Sequence, residues 1–583
     1  MLMTSLLILI PLAAAVAIIF ARVEQAKWIA LGGSLVAFVW SLILAIRFDE
    51  WGGDGFALEG AVAWLPKFGI SIAWGADAVA MMLVLLSTFL MPLCVWGSFT
   101  AITSRIKEYY GWLMVLLGAM VGVFLARDLV VFYICFEFTL VPMFFLIAIY
   151  GGENRAHASV KFFIYTFTGS LIGLVGLLYI AWRHSVFAGD WSFDIAALTA
   201  FAASELTAQE QAWLLLALMA GFAVKIPLFP VHTWLPLAHT EAPTAGSVIL
   251  AAVLLKLGTY GLYRFVLPML PDAVIEYAPF IAVLSIIGIL YAALICWVQT
   301  DIKKLIAYSS VSHLGFCVLG LFALNPLGVQ GSVLYMLNHG LSTGALFFLV
   351  GMIYERYHTR DMDRMGGLAK KMPIWAFFMV FFVLASVGLP GLNGFVSEFL
   401  CLIATFVATP EFTEYPGVLG PWYAAIAGIG MIFAAMYLLI MVGKVVFGPF
   451  KEPATEDHHH GEHTLPADLS PREIGVLVPL AVLCIVLGIY PKIATDAMEQ
   501  NVQTTLAAYP AKVEAMLAAR QQSAEDTQAS KPAGTGVPTH AFEEPHESLT
   551  EMFSPARYES PMPLASTPIA LIPAAHLPKG GTP

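Results

Sequence analysis

The chain has 583 residues, of which 59% are hydrophobic and only 12% are charged. An ordinary soluble domain carries roughly 25% charged residues, so this composition indicates a membrane protein. The formal net charge of -11 at pH 7 argues against binding to nucleic acid, which needs a basic face.

Apolar stretches long enough to cross a bilayer recur along the whole chain. A crossing needs about 20 residues, because the hydrocarbon core is roughly 30 Å thick. The sequence predicts an all-α polytopic membrane protein with about fourteen transmembrane helices. We place them near residues 3–20, 28–46, 76–98, 111–126, 129–150, 160–182, 212–230, 245–267, 279–298, 303–323, 328–353, 373–409, 423–447 and 474–490.

The predicted spans divide the chain into six segments. They are residues 1–75 with helices 1 and 2 and an outer loop, 76–267 with helices 4–8, 279–447 with helices 9–13, a polar cytoplasmic loop at 448–472, the last helix at 473–492, and a polar outer tail at 493–583. The tail is rich in Ala, Pro, Glu, Ser and Thr. Beyond a short helix near 494–522 we expect it to be mostly disordered.

The seventh and twelfth spans are interrupted by helix-breaking residues. Residues 222–236 read FAVKIPLFPVHTWLP, and residues 385–400 read ASVGLPGLNGFVSEFL. The two lie five spans apart, so each is the fourth helix of a five-helix block, and an odd block length inverts the second block. Inverted repeats with interrupted helices at corresponding positions indicate a transport site. Lipid offers no hydrogen-bond partners to the backbone groups that a helix break leaves free, so both breaks must face protein or water.

Ionisable residues occur inside several spans, at similar depth. They are Glu137, Lys225, Lys256, His313, His339 and Glu398. A charge at the bilayer centre costs from about 3 to more than about 10 kcal/mol, so these groups need partners or water. We interpret them as a chain of proton-transfer sites. His232 and His239, just after the broken seventh helix, are candidates for a proton entrance.

Each of these residues also has a purely structural interpretation. Glu137 and Lys225 could be a static ion pair that fixes helix register. His313 and His339 could each be a satisfied core histidine, and His232 and His239 could cap a loop.

Two further sets of charged residues are expected at the ends of spans. Lys303 should extend its amine towards the membrane surface, and Arg127 and Asp128 should form a pair on the outer surface. The polar loop contains a histidine cluster, which we interpret as solvated rather than as a metal site. It consists of His458, His459, His460 and His463.

Sequence motifs for cofactors are missing from the chain. The six cysteines are scattered singly, and there is no CxxC, no GxGxxG and no Walker loop. We therefore expect no metal and no cofactor on this chain. Most basic residues near span ends fall on one side if the N-terminus is outside, which predicts that both termini are outside, on the periplasmic face.

Four long motifs, occurring in the same order as in one known family, carry a resemblance to it. They are FAVKIPLFPVHTWLPLAHTEAPTAGSVILAAVLLKLGTYGLYRF, QTDIKKLIAYSSVSHLGF, LNHGLSTGALFFLVGMIYERYHTRDM and GLPGLNGFVSEF. The chain resembles, over roughly residues 75–450, the antiporter-like membrane subunit M of proton-pumping NADH-quinone oxidoreductase, the bacterial respiratory complex I. Two departures are visible: Leu237, where the family often has aspartate in WLPDAH, and the extended tail.

The resemblance implies a fourteen-helix fold with two inverted five-helix repeats and broken helices 7 and 12. It also implies that Glu137 is paired with Lys225, that Lys256 is the central relay and that Glu398 is the exit-side proton carrier. His313 and His339 would belong to the water-filled path that connects these groups.

The function that the resemblance implies is proton translocation in the bacterial cytoplasmic membrane by a subunit without redox chemistry of its own. FMN, iron–sulfur clusters, NADH and quinone would be bound by partner subunits, and the neighbours in the membrane arm would be L-like and N-like antiporter-like subunits. Two alternatives stay open. One is a subunit of a multisubunit sodium/proton antiporter, and the other is a membrane scaffold that serves only assembly.

Overall fold

The computed structural model describes residues 2–413, 415–453 and 468–529. The histidine cluster His458–His463 and the tail beyond residue 529 lie outside these ranges, so the predictions for them stay predictions. Met1–Gln521 form one compact unit. The remaining residues, 522–583, form a second unit, of which only the end of the last helix is described.

The first half of the chain is helical apart from one hairpin of two strands. In chain order its elements are α1 (Leu2–Phe20), α2 (Val23–Ile46), β1 (Ala57–Leu65), β2 (Ile70–Ala76), α3 (Ala78–Gly97), α4 (Ile106–Leu125), α5 (Leu129–Phe138), α6 (Leu140–Tyr150), α7 (Arg155–Ala188), α8 (Ile195–Glu205), α9 (Ala208–Lys225) and α10 (Leu235–Glu241).

The regular elements described in the second half are all helical. Its elements are α11 (Thr244–Ile249), a π-helical turn (Leu250–Leu254), α12 (Leu255–Gly261), a second π-helical turn (Leu262–Val266), α13 (Leu267–Met269), α14 (Pro271–Trp297), α15 (Ile302–Leu321), α16 (Pro326–Tyr357), α17 (Pro373–Val387), α18 (Asn393–Phe406), α19 (Pro421–Val445), α20 (Pro471–Ile489), α21 (Lys492–Leu506) and α22 (Tyr509–Ala529). Short 3-10 turns lie at Pro66–Phe68 and Leu368–Lys370.

The prediction of a multi-pass helical membrane protein is confirmed. Among the described residues, twelve helical stretches are long and apolar enough to cross a membrane. The two predicted spans that are not among the twelve are the interrupted ones, in which α9 and α10 replace one continuous helix and α17 and α18 replace the other. The inverted-repeat relation between the two blocks stays a prediction.

Each of these two spans is interrupted within the segment in which the sequence predicts a break. After Lys225 the chain runs through turns to Trp234, whose indole nitrogen donates to the carbonyl of Val224 at 2.9 Å. The second break begins at Gly388, which ends α17 in the left-handed conformation (φ +83°). Glycine is favoured there because a side chain makes a positive φ costly.

Three helical stretches form the interior of the bundle. The most apolar windows of Thr244–Met269 and Pro326–Tyr357 are completely buried, and that of Ile302–Leu321 is 89% buried. The corresponding windows of α1 and α2 are only 33% and 28% buried. A helix that is apolar on all sides and enclosed by other helices keeps its polar residues away from lipid. Polar groups in these buried windows are therefore mostly surrounded by protein.

The predicted outer loop before helix α3 contains a β-hairpin. Strands β1 and β2 are antiparallel, with Val62 opposite Ile72, and Gly69 turns the chain with φ +66°. Arg127 contacts this hairpin through an ion pair with Glu59 at 2.5 Å.

Asp128 has a different role from the one that the sequence suggested. It caps helix α5 by accepting hydrogen bonds from the backbone of Val130 and Val131. The predicted pair between Arg127 and Asp128 is therefore wrong, because a helix cap and a strand residue provide the partners instead.

Two helices, rather than one short helix, occupy the described start of the tail. Asn501 in α21 accepts a hydrogen bond from the backbone of Ala78 at 3.1 Å, and the hydroxyl of Tyr509 donates to the carbonyl of Leu267 at 2.7 Å. The tail therefore begins as a part of the packed unit.

Candidate functional site

Lys256 lies at the centre of the bundle and has no solvent exposure. Its Nζ donates to the carbonyl of Ala251 at 2.5 Å and lies 2.6 Å from Nδ1 of His339. The wide turn Leu250–Leu254 directly precedes the helix segment that carries this lysine. An ammonium group that donates to a neutral imidazole is one proton transfer away from an amine beside an imidazolium. The contact can therefore pass a proton.

His313 and Glu398 are joined by a tyrosine that the sequence analysis did not select. Nδ1 of His313 lies 2.6 Å from the hydroxyl of Tyr335, and this hydroxyl donates to Oε1 of Glu398. Because the hydroxyl hydrogen points to the carboxylate, its oxygen accepts from Nδ1–H of the histidine. A direct contact of 3.3 Å between Nδ1 and Oε1 runs alongside.

The two pairs of contacts meet at the two histidines. The ring centroids of His313 and His339 are 5.7 Å apart. The result is a buried sequence of groups that we call the central chain: Lys256, His339, His313, Tyr335 and Glu398. The structure thus brings together four residues that the sequence predicts as site residues. Each member is at most 3% exposed.

Three polar atoms of the central chain face the protein interior without a hydrogen-bond partner among the described residues. They are Nε2 of His313, Nε2 of His339 and Oε2 of Glu398. Buried polar atoms normally have a protein or water partner, and exceptions are common at functional sites. Free acceptor and donor positions at these three places are what a proton relay needs.

Glu137 and Lys225 lie close enough to interact electrostatically, but they are not in direct contact. Lys225 is buried and donates to the hydroxyl of Thr139 at 3.4 Å, and its Nζ lies 4.6 Å from the centre of the Phe136 ring. The carboxylate of Glu137 lies within electrostatic range of this lysine, and neither of its oxygens has a hydrogen-bond partner among the described residues. No ion pair within 4.0 Å joins the two charges in the described structure. In this conformation the contacts of the lysine amine are the Thr139 hydroxyl and the Phe136 ring.

The two candidate entrance histidines have different surroundings. His232 is nearly buried, stacks with Phe229 at a centroid distance of 5.8 Å and meets the edge of Tyr291. His239 is fully buried in α10 and stacks on Phe347 at 4.7 Å. Neither ring nitrogen of His239 has a hydrogen-bond partner among the described residues. His239 lies within electrostatic range of two members of the central chain, Lys256 and His339.

Lys303 is a buried cation that the sequence analysis assigned to the membrane surface. Its side chain is held inside by the carbonyls of Ala242 at 2.5 Å and Thr240 at 3.5 Å, at the end of α10. The prediction that it extends to the surface is therefore wrong. The carbonyls at a helix C-terminus carry partial negative charge and attract the amine. Its neighbour Lys304 is exposed, so the two adjacent lysines point to opposite surroundings.

Tyr335 and Lys303 were missed for different reasons. Tyr335 is four residues before His339, which is one helical turn, so this spacing was a usable signal. For Lys303 the sequence offers no signal, since KK at a span end looks the same whichever side chain is buried.

Metal ligands are not grouped anywhere in the described ranges. No three or more His, Cys, Asp or Glu side chains are arranged there so that they could hold an ion. The six cysteines are free thiols. What the polar groups of the site can do is bind and release protons.

The chain is similar in sequence to known membrane proteins. The sequence profile of the family described as NADH:quinone oxidoreductase/Mrp antiporter, TM, matches residues 126–420. NADH-quinone oxidoreductase subunit M of Rhodobacter capsulatus is 42% identical over 483 residues, which are 82% of this chain and 90% of that protein. NADH-ubiquinone oxidoreductase chain 4 of Marchantia polymorpha is 39% identical over 500 residues, or 85% of this chain and 95% of that protein.

A solved structure shares the fold over most of its length. A chain of respiratory complex I from Thermus thermophilus with bound NADH superposes with a TM-score of 0.74 and 28% identity, covering 86% of this chain and 99% of that one. The chain therefore belongs to the NADH:quinone oxidoreductase/Mrp antiporter family of membrane subunits and, within it, to the subunit M and chain 4 group of NADH-quinone oxidoreductase.

Proposed function

We propose that this chain is a proton-translocating membrane-arm subunit of respiratory NADH-quinone oxidoreductase. The observation that carries the proposal is the central chain, a series of neighbouring protonatable groups from Lys256 to Glu398 inside the bundle. A membrane protein rarely buries such groups unless they serve transport. Redox chemistry, with FMN, iron–sulfur clusters, NADH and quinone, belongs in this proposal to partner subunits.

The mechanism starts at the separated pair Glu137 and Lys225. The proton affinity of a buried amine depends on its distance from a carboxylate, so closing or opening this pair changes the charge felt by the next group. The changed charge at Lys225 drives a proton from Lys256 through His339 and His313 to Tyr335 and Glu398. Moving one proton against 100 mV requires about 2.3 kcal/mol. This is the free energy of changing the pKa of a group by less than about two.

Each step along the central chain conserves protons. The ammonium of Lys256 gives a proton to Nδ1 of His339, which becomes an imidazolium and releases a proton from Nε2. His313 accepts that proton at Nε2 and releases the one on Nδ1 to the oxygen of Tyr335, whose own hydroxyl proton passes to Glu398. The hydroxyl is regenerated, and the carboxylic acid carries the proton to the far side.

Placement in the cell follows from the same proposal. The chain lies in the bacterial cytoplasmic membrane with both termini on the periplasmic side, and L-like and N-like antiporter-like subunits flank it. The proton, not sodium, is the coupling ion in this account.

The experiment is replacement of Lys225 by Gln in the intact complex, reconstituted in liposomes. We expect NADH-driven proton pumping to lose most of its rate, while assembly is unchanged. The matched control is Lys304→Gln, which removes an exposed lysine. Undiminished pumping by the Lys225→Gln complex would contradict the proposal.

The family description also names the Mrp antiporter, so a sodium/proton antiporter subunit is the second candidate function. A subunit of a sodium/proton exchanger would transport sodium without NADH and would be encoded beside small exchanger subunits. Sodium uptake by vesicles that lack the redox subunits would favour this alternative. A scaffold without transport is distinguished by pumping that survives loss of both Lys225 and Lys256.

A further inference from the structure

A small cavity lies between helices α3, α16 and α20, at the end of α16 that is remote from Glu398. Its polar wall consists of Thr244, Glu355, Arg472 and Glu473. The cavity is just large enough for about one water molecule. None of these four residues belongs to the central chain.

Glu355 is half-buried and connects this cavity with the surface. Its Oε2 accepts a hydrogen bond from the exposed Thr100 hydroxyl at 2.9 Å, and the same hydroxyl accepts from Arg472 at 2.8 Å. The other carboxylate in the wall, Glu473, is engaged by Arg356 through two bonds of 2.9 Å. Of the two described carboxylates, Glu355 is therefore the one left able to exchange a proton.

The cavity wall includes one residue of the helical stretch that carries Lys256. Thr244 is the first residue of the helical stretch that carries Lys256, and its hydroxyl lies against the backbone of α16. A Cβ built on Gly351 would lie 2.4 Å from the Thr244 oxygen. One helical turn closer to the centre, Phe347 stacks on His239.

His239 supplies the protonatable group between the cavity and the centre. It is completely buried, and both its ring nitrogens lack a partner among the described residues. Gly351 and His339 are twelve residues apart on α16, which corresponds to about 18 Å along the helix. His239 stacks on Phe347, which lies between these two positions on α16.

We propose that Glu355 is the proton-loading carboxylate of this subunit, delivering protons through the cavity beside Thr244 to His239 and from there to the pair Lys256 and His339. This inference rests on the proposed function and adds the side from which the central chain is loaded. Glu355 takes a proton from bulk water and gives it to water in the cavity, so the carboxylate is restored. A proton from that water reaches one nitrogen of His239, and the proton on the opposite nitrogen moves on to the amine of Lys256.

The first test is Glu355→Gln in the intact complex, with Glu355→Asp and Glu108→Gln beside it. A positioned proton-transfer group typically contributes about a hundredfold or more to the rate, so we expect NADH-driven pumping to fall at least about tenfold in the Gln variant. The Asp variant, which keeps an acid at this place, should recover most of the loss. Glu108 is an exposed carboxylate paired with Arg105, and its replacement should have no effect.

The second test fills the cavity without changing any charge. Val476→Phe places a ring where the water would be, and we expect pumping to fall as in the Gln variant. Native gel electrophoresis measures the amount of complex for each variant. If the Gln variant does not assemble, the Phe variant decides.

The outcomes separate the two proposals. Normal pumping by both Glu355→Gln and Val476→Phe overturns the loading route, as does an Asp variant that is as inactive as the Gln variant. If Lys225→Gln also pumps normally, the proposed function fails. If Lys225→Gln is inactive while the Glu355 variants pump normally, only the loading route is wrong.

Discussion

The hydroxyl of Tyr335 links His313 to Glu398 in the central chain, and its removal changes a single atom of this chain. In Tyr335→Phe the ring remains, and a single oxygen is lost between His313 and Glu398. That oxygen accepts from His313 at 2.6 Å and donates to the carboxylate. Hydrogen bonds to charged groups contribute about 1.5–3 kcal/mol, so we expect a comparable loss of stability.

The effect on transport follows from the contact that remains. Nδ1 of His313 and Oε1 of Glu398 are already 3.3 Å apart, so the proton still has a direct but longer route. A transfer that must wait for this distance to shorten gains a barrier of about 1.4 kcal/mol, which is a tenfold slower rate. Pumping should therefore fall about tenfold and not disappear.

The assay is NADH-driven acidification of liposomes that contain the purified complex, followed with a pH-sensitive dye at equal amounts of complex. Tyr437→Phe is the control, because Tyr437 is equally buried and its hydroxyl is outside the central chain. A Tyr335→Phe complex that pumps at the normal rate would refute the relay through this hydroxyl.

Three further variants test other parts of the structure. Lys256→Met keeps the volume but not the proton, and we expect pumping in liposomes to fall about a hundredfold or more while native gels show normal assembly. Gly388→Ala puts a Cβ 2.7 Å from Oε2 of Glu398 at φ +83° and should lower the stability by about 1–2 kcal/mol, seen as a lower thermal midpoint. Glu473→Leu leaves the buried Arg356 unpaired and should cost about 3–5 kcal/mol in the same measurement; an unchanged midpoint would argue against the pair.

Hydropathy located the spans of this protein because lipid imposes one requirement on every crossing helix. The backbone N–H and C=O groups must form their hydrogen bonds within the helix. The helix also needs about twenty apolar residues to cross the hydrocarbon core. The breaks after Lys225 and at Gly388 were visible for the same reason, because proline and glycine in an apolar run are costly unless they have a role. Glu398 and Lys256 were found through the cost of their charge.

Features that depend on tertiary packing could not be read in this way. A tyrosine in a transmembrane helix is common, so Tyr335 did not stand out by its type alone. Whether Lys303 or Lys304 turns inward depends on the carbonyls that α10 presents to it. Arg127 found a partner in Glu59 of the hairpin, 68 residues away, which no local pattern predicts.

The two π-helical turns on either side of Lys256 change the direction in which the side chains beyond them leave the helix. Each such turn accommodates one residue more than an α-helical turn, so it offsets everything beyond it by about 100°. The lysine that contacts His339 follows directly after the wide turn Leu250–Leu254, so this turn helps to set the direction in which its side chain leaves the helix. Deleting a single alanine from that turn would restore a regular ladder and swing the amine about a quarter of the way round the axis, out of reach of the imidazole.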